Sequence, residues 1–271
     1  MTPATVFDRM AADYDATWTA TAVGRAQRDQ VWRVLDAMFA RGSRVLDVGC
    51  GTGEDARHLM GRGVAVQAID ASPAMVAIAQ AHGVTAEVRC AEELGDVASE
   101  TERASLAYPP GKTDAGRMAC PTGGPEAVFD GALSNFGALN CVADLAAAAR
   151  GLARVVRPGG PVAICLIGRC CLWEIAYYSV RLQFRKALRR RHASEFRGMA
   201  VYYPSVAEVS SAFAEGFELR RWKGVGLFVP PSYVKLPATL VRALGACDRV
   251  FAGLPGLRAM ADHRLFVLVK Q

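Results

Sequence analysis

Asp47-Val48-Gly49-Cys50-Gly51-Thr52-Gly53-Glu54-Asp55 follows the apolar pair Val45-Leu46 and precedes the helix-like run Ala56-Arg57-His58-Leu59-Met60. A buried strand that ends in an acidic residue and turns through three alternating glycines into a helix presents backbone N–H groups, not side chains, to a ligand. The third glycine decides which ligand. Counted from Gly49 and Gly51, the dinucleotide fingerprint G-x-G-x-x-G requires glycine at position 54, where this chain has Glu54. A carboxylate at a helix N-terminus repels a pyrophosphate and tolerates a cation.

Downstream, the strand-then-helix rhythm repeats. Val64 to Asp70 reads as a second buried strand ending in a carboxylate, and Ser72-Pro73 supplies an N-cap and a first-turn proline for the next helix. Asp70 stands where a ribose diol is held, since two hydroxyl donors suit one bidentate acceptor. Val84 to Cys90 and Ala127 to Asn135 read as the third and fourth strands. A helix stopped by Pro158-Gly159-Gly160 leads to a fifth strand, Pro161 to Ile167. A helix from Ser205 to Ala214 and strands from Phe217 to Trp222 and from Arg264 to Lys270 close the chain.

The pattern Asp47-x-Gly49-x-Gly51-x-Gly53, with this order of elements, resembles the class I S-adenosylmethionine (SAM) dependent methyltransferases, notably those of the ubiquinone and biotin pathways. The resemblance covers Arg44 to Glu93, Ala127 to Ile167 and, loosely, the C-terminal third. It implies an α/β, Rossmann-like, seven-stranded, mostly parallel sheet with an antiparallel last strand, and a helical substrate cap inserted after the fifth strand. It also implies SAM as cofactor and S-adenosylhomocysteine as product. The implied cofactor contacts are Asp47, Gly49, Cys50, Gly51, Gly53, Asp70, Ala71, Met75, Ala91, Glu92, Ser134, Asn135 and Tyr14. Where the family often has Asp directly before the alanine at the adenine contact, this chain has Cys90, which leaves Glu92 as the acidic substitute.

The 271 residues, 52% of them hydrophobic, suffice for one domain spanning 1–271 with insertions. The N-terminus lacks the apolar run of a signal peptide, and the most apolar window, Pro161 to Val180, is broken by Arg169 and Glu174. A soluble, cytoplasmic protein is the expectation. The eight cysteines do not supply the two separate close ligand pairs of a structural zinc site, and the vicinal pair Cys170-Cys171 is a poor disulfide candidate, so free thiols and no metal are expected.

Three segments depart from a minimal domain. Residues 1–40 are expected to form an N-terminal helical lid, with Phe7, Met10 and Tyr14 on one face, packed either on cofactor and substrate or simply on the sheet edge. Residues 95–126, rich in Pro and Gly with little apolar periodicity, read as a flexible insertion, or alternatively as a lid over the cofactor. Residues 168–203 read as the helical cap. There Trp173, Tyr177, Val180, Phe184 and Leu188 recur at helical spacing, while Arg181, Arg185 and Arg189 mark another face. Between positions 181 and 197, seven Arg and Lys stand against Glu195 alone. Such a basic, aromatic-bearing segment suits an anionic membrane surface or lipid-like substrate, a nucleic acid, or a solvated cap.

Methyl transfer from a sulfonium is an in-line displacement served chiefly by positioning. The stretch after the fourth strand, Ser134-Asn135-Phe136-Gly137, lacks the Asn/Asp-Pro-Pro-aromatic motif of nucleic-acid N-methylation and the carboxylates of a Mg²⁺-dependent catechol enzyme. Asn135 and Tyr14 are the catalytic-side candidates, with His192 of the basic segment as a candidate base. Tyr202, Tyr203 and Val225 to Tyr233 are candidate walls of a substrate pocket. The reading that emerges is a methyltransferase acting on a small, largely apolar or lipid-like molecule. Its competitors are a catalytically silent SAM-domain protein docking a membrane or partner through the basic segment, and an RNA methyltransferase. Peripheral contact with an anionic membrane stays open, a nucleic-acid partner is disfavoured, and the oligomeric state is not legible.

Overall fold

The computed structural model describes residues 2–96 and 129–271. Of the expected insertion 95–126, all but the first two residues lie outside the described residues. Helix α1 (Pro3–Tyr14) starts on Thr2, whose hydroxyl accepts from Thr5 N, with Pro3 in the first turn. A π-helical turn, Asp15–Thr19, separates it from α2 (Ala22–Met38). The alternation predicted from sequence follows as β1 (Arg44–Val48), α3 (Glu54–Gly61), β2 (Ala65–Asp70), α4 (Pro73–Ala81) and β3 (Thr85–Val88), then a 3-10 turn at Glu92–Asp96. Next come β4 (Gly131–Ser134), a 3-10 turn at Ala138–Cys141, α5 (Leu145–Val155) and β5 (Pro161–Ile167). Short elements α6 (Leu172–Ser179), α7 (Phe184–Ala187), β6 (Ser194–Phe196) and β7 (Met199–Val201) lead into α8 (Val206–Phe213), β8 (Phe217–Val225), α9 (Ala238–Phe251) and β9 (His263–Lys270).

Seven strands form one sheet in the order β3-β2-β1-β4-β5-β9-β8, with β1 to β5 parallel and β9 antiparallel between β5 and β8. This is the Rossmann-like methyltransferase architecture expected from the sequence. Strand pleat divides the core into two layers. Leu46, Val48, Ala132, Ile164 and Phe266 pack with Leu152 of α5 and Phe213 of α8 on one face. Val45, Leu133, Ala163 and Leu265 pack with Leu35 of α2, Leu59 of α3 and Ala79 of α4 on the other. The order reverses between β1 and β4, which opens a crevice at their carboxyl ends, the usual ligand position in such sheets.

Between 168 and 203 the single amphipathic helix suggested by the apolar spacing is absent. Helix α6 ends in a turn at Leu182, whose φ of +56° breaks the helical path, and Val180, Phe184 and Leu188 are exposed, not turned inward. The segment finishes as a β-hairpin turning through Arg197 and Gly198, both at positive φ, the pair of left-handed residues that a two-residue hairpin loop requires.

A buried charge network anchors this segment. Glu174 of α6 accepts from Arg190 Nε at 2.8 Å, and Arg190 Nη2 also lies 2.8 Å from Asp262 Oδ1, all three side chains being less than 10% exposed. Asp262 in turn accepts from Gln27 of α2 at 3.3 Å. Burial acts to raise the Asp262 carboxyl, but His263 and Arg190 outweigh it and hold the pKa below the ordinary range. Removing one member of such a network leaves a buried charge uncompensated, so Glu174→Ala should lower unfolding stability by about 3 kcal/mol. Urea denaturation at neutral pH measures this; a loss indistinguishable from a surface substitution would contradict the anchoring role.

Candidate functional site

Three glycines at the end of β1 take left-handed backbone, with φ of +74° at Gly49, +55° at Gly51 and +82° at Gly53. Their surroundings differ. A Cβ at Gly49 would collide with Ala138, and one at Gly53 would come within 2.9 Å of Val84 Cγ2, whereas one at Gly51 would meet nothing within 4 Å. The turn is tied to β2, because Gly49 N donates to Ile69 O at 2.8 Å and Gly51 N donates to Asp70 Oδ2 at 2.8 Å. Asp70 Oδ1 accepts from Ser72 N at 2.9 Å, so the carboxylate is oriented by two backbone donors and keeps lone pairs for a ligand.

Above this turn lies a cavity of about 350 Å³ at the carboxyl ends of β1, β2 and β4. Val48, Gly49, Gly51 and Asp70 form its floor, and Ala71, Met75, Cys90, Ala91 and Glu92 form one wall. Glu93 is occupied elsewhere, accepting from Cys90 N at 3.1 Å, which leaves Glu92 as the acidic residue of that wall. Asn135, Phe136, Leu139 and Val142 line the opposite wall, and Pro3, Phe7 and Tyr14 of α1 close the top.

Charge around the turn is unbalanced. Asp47 is 1% exposed and its Oδ2 has no hydrogen-bond partner among the described residues. Burial first, then the neighbouring Asp55 and Asp70, push its carboxyl well above the ordinary value, with Arg28 alone opposing them. Burial likewise raises Asp70 against the pull of its two backbone donors, and pushes the Tyr14 hydroxyl up to about 12. Three carboxylates thus face one guanidinium. A cation held over the glycine turn would correct this imbalance, whereas a pyrophosphate would worsen it.

The segment over the cavity is fastened at several points. Asp8 of α1 accepts from Ser72 Oγ at 2.6 Å and from Ala74 N at 3.0 Å, at the start of α4. Asp15 accepts from Thr52 Oγ1 at 2.7 Å. Trp18, on the π-helical turn, meets the Phe136 ring at a centroid distance of 4.7 Å, and the Arg28 guanidinium sits 4.6 Å from Trp18 and 5.1 Å from Phe136. Phe136 holds this position at φ +49°, strained for a bulky residue. Next to it, Asn135 Oδ1 accepts from Phe136 N at 3.0 Å, while the buried Nδ2 has no partner among the described residues. The amide is locked with a donor left over.

Of the residues named from sequence, Gly49, Gly51, Asp70, Ala71, Met75, Ala91, Glu92, Asn135 and Tyr14 come together around this cavity. Asp47, Cys50, Gly53 and Ser134 support it from behind without lining it. Cys50 packs in the core layer under α3, Gly53 packs on Ala79 and Val84, and Ser134 is enclosed in β4 against β5. His192 requires a correction: it is exposed after the Arg189–Arg191 turn and does not line the cavity. Met10 does not line it either; it packs with Val6 on the hairpin residues Met199 and Val201. Tyr203 donates to or accepts from Ser194 Oγ at 2.8 Å, and Leu227 and Val229 are buried in small cores, so these expected pocket walls are structural. Sequence reasoning missed Arg28, Asp8 and the Leu139–Val142 wall. No local signal marks Arg28, which sits mid-helix and acquires its partners only on folding.

The sequence profile described as "Methyltransferase domain" matches residues 23–219. A demethylmenaquinone methyltransferase of Beutenbergia cavernae is 33% identical over 162 residues, 59% of this chain and 55% of that protein. One from Mycolicibacterium vanbaalenii is 31% identical over 165 residues, 60% of this chain and 58% of that protein. The aligned region thus spans little more than half the length of these relatives. Among solved structures, a SAM-dependent methyltransferase from Thermotoga maritima, titled a possible histamine N-methyltransferase, superimposes with a TM-score of 0.58 at 18% identity, covering 99% of both chains. One from Mesorhizobium loti gives a TM-score of 0.52 at 19% identity, covering 89% of this chain and 97% of that one. At these identities the structural matches speak to the fold.

Two outcomes are expected. Gly51→Ala points a methyl at the cavity and should abolish S-adenosylhomocysteine binding in calorimetry, at a stability cost of about 1–2 kcal/mol for the left-handed backbone. Gly53→Ala adds a collision with Val84 and should lower the melting temperature further. The second outcome concerns Asp47. Its raised pKa means that the ligand-free fold is favoured below the ordinary carboxylate range and loses that advantage as pH rises through the raised value, so Asp47→Asn should gain stability relative to wild type with rising pH. A bound cation favours the ionised form, so SAM affinity of the wild type should weaken as pH falls through the raised value. Titration across pH should find this dependence flattened in Asp47→Asn.

Proposed function

Because the chain belongs to the methyltransferase-domain family, within the class I SAM-dependent methyltransferases, we propose that it transfers a methyl group from SAM to a small, largely apolar, quinone-like acceptor. The observation that carries this reading is the cavity itself. One end presents the close-packed glycine turn with the Asp70 and Glu92 carboxylates, and the other has apolar walls with an amide donor, Asn135 Nδ2, that is unsatisfied among the described residues. The similarity to demethylmenaquinone methyltransferases supports a quinone-like ring as the acceptor.

When bound, SAM supplies a methyl group activated by its sulfonium. Asp70, oriented by Gly51 N and Ser72 N, has lone pairs free to accept from a ribose diol. Ala91 and Glu92 line the wall where the family holds adenine. Asp47, left without a hydrogen-bond partner at Oδ2, contributes the field that favours a cation. On the acceptor side, Phe136 and Leu139 exclude water from the ring, and Asn135 Nδ2 donates to a ring oxygen, fixing the plane of the nucleophile. Tyr14, held protonated by burial, acts as a donor and not as a base. Among the described residues, neither histidine nor lysine lines the cavity. Alignment of nucleophile and methyl group is therefore the main service of this site.

Incubation with SAM and a reduced, water-soluble naphthoquinone, read as S-adenosylhomocysteine formation, tests the reading. Turnover is expected with this acceptor and absent with histamine, and NAD should not bind. Asn135→Ala should lower kcat/KM by about tenfold, the effect of one lost hydrogen bond, without changing S-adenosylhomocysteine affinity. Turnover of histamine but not of the quinol would overturn the acceptor assignment, and NAD binding in place of S-adenosylhomocysteine would overturn the site.

A further inference from the structure

The turn between α6 and α7 is shaped like a helix stop that normally uses glycine. Leu182 N donates to Ser179 O at 2.9 Å and Gln183 N donates to Tyr178 O at 2.9 Å, the paired bonds of a Schellman motif. The residue in its left-handed position is Leu182, with φ of +56°. A leucine there is strained, and at 77% exposure its side chain returns nothing to the core. Its neighbours behave alike: Val180 is 83% exposed and Phe184 58%. Between and beside these apolar tips stand Arg181, Arg185 and Lys186, none of which forms an ion pair among the described residues. Arg189 and Arg190, by contrast, are both committed to Glu174. Residues 180–186 therefore project an uncompensated cluster of three cations interleaved with three large apolar side chains, all exposed.

The tip is also built to stay in place. Tyr177 and Tyr178 pack edge-on at 5.2 Å and Tyr177 meets Tyr233 at 5.7 Å, while the Arg181 guanidinium lies 3.7 Å from the Tyr177 ring centroid. Behind them, Glu174 and Arg190 bind α6 to the body of the protein. A strained leucine on a rigid support, flanked by cations that have no carboxylate partner among the described residues, fits the boundary between lipid headgroups and acyl chains. The apolar side chains enter the hydrocarbon edge and the cations remain at anionic phosphates.

We propose that residues 180–186 form a membrane-docking tip that seats this protein on an anionic lipid surface. The inference does not depend on the acceptor's identity, since it rests on a turn remote in sequence from every residue that lines the cofactor cavity.

Flotation of the full chain with vesicles of phosphatidylcholine alone, or with 30% phosphatidylglycerol, at low and high salt, tests it. The wild type should float with the anionic vesicles at low salt, detach at high salt and ignore the neutral ones. Replacing Arg181, Arg185 and Lys186 by glutamine should reduce the anionic partition by on the order of a hundredfold, at about fivefold per basic residue. Leu182→Gly relieves the backbone strain, so it should melt at the same or a higher temperature while partitioning about tenfold less. Both variants should bind S-adenosylhomocysteine as the wild type does. The proposal is overturned if the wild type ignores anionic vesicles at low salt, if it partitions equally onto neutral ones, or if Leu182→Gly partitions unchanged.

Discussion

Arg28 is the cation on which the arrangement of the site depends. It is 6% exposed, pairs with Asp55 at the start of α3, and lies over the rings of Trp18 and Phe136. Asp55 also accepts from Trp32 Nε1 at 2.7 Å, so α2, α3, the π-helical turn and the loop after β4 converge on one charge. Without this guanidinium, Asp47, Asp55 and Asp70 would share a low-dielectric region with no counter-charge. With it, the site retains a deficit of positive charge that suits a cationic cofactor.

The N-terminal segment is as much a part of the cavity as the sheet. Asp8 takes over capping of α4 together with Ser72, and Asp15 reaches Thr52 inside the glycine turn. The π-helical turn that begins at Asp15 lets the chain change direction so that Tyr14 and Trp18 both face inward, Tyr14 to the cavity and Trp18 to Phe136. Wide turns of this kind occur often at functional sites, where a regular helix would carry the next side chain past its target.

What the sequence reveals of all this follows from how local each feature is. The glycine turn, the acidic strand ends and the cap at Ser72 are legible because their geometry is decided within a few residues, and the order of strands follows from apolar runs separated by turn residues. The Arg28 cluster is not legible, because its members come from four elements brought together by folding. The form of the 168–203 segment is not legible for another reason. Trp173, Tyr177, Val180, Phe184 and Leu188 have helical spacing, but spacing cannot say whether an apolar residue is buried, and here the turn at Leu182 carries Val180 and Phe184 out into solvent. The named residues that the fold brings together are mainly those on the strand ends and turns that form the crevice, whereas His192, singled out by side-chain chemistry alone, lies outside the cavity.

Phe136 illustrates a conflict between durability and use. A residue at φ +49° with a large ring invites replacement by glycine or asparagine, which would relax the backbone. The same change would remove the ring that Trp18 and His263 abut and that Arg28 covers. Selection for thermal endurance and selection for turnover therefore pull this one position in opposite directions, and a stabilised variant obtained there would be expected to have traded away the wall of its own active site.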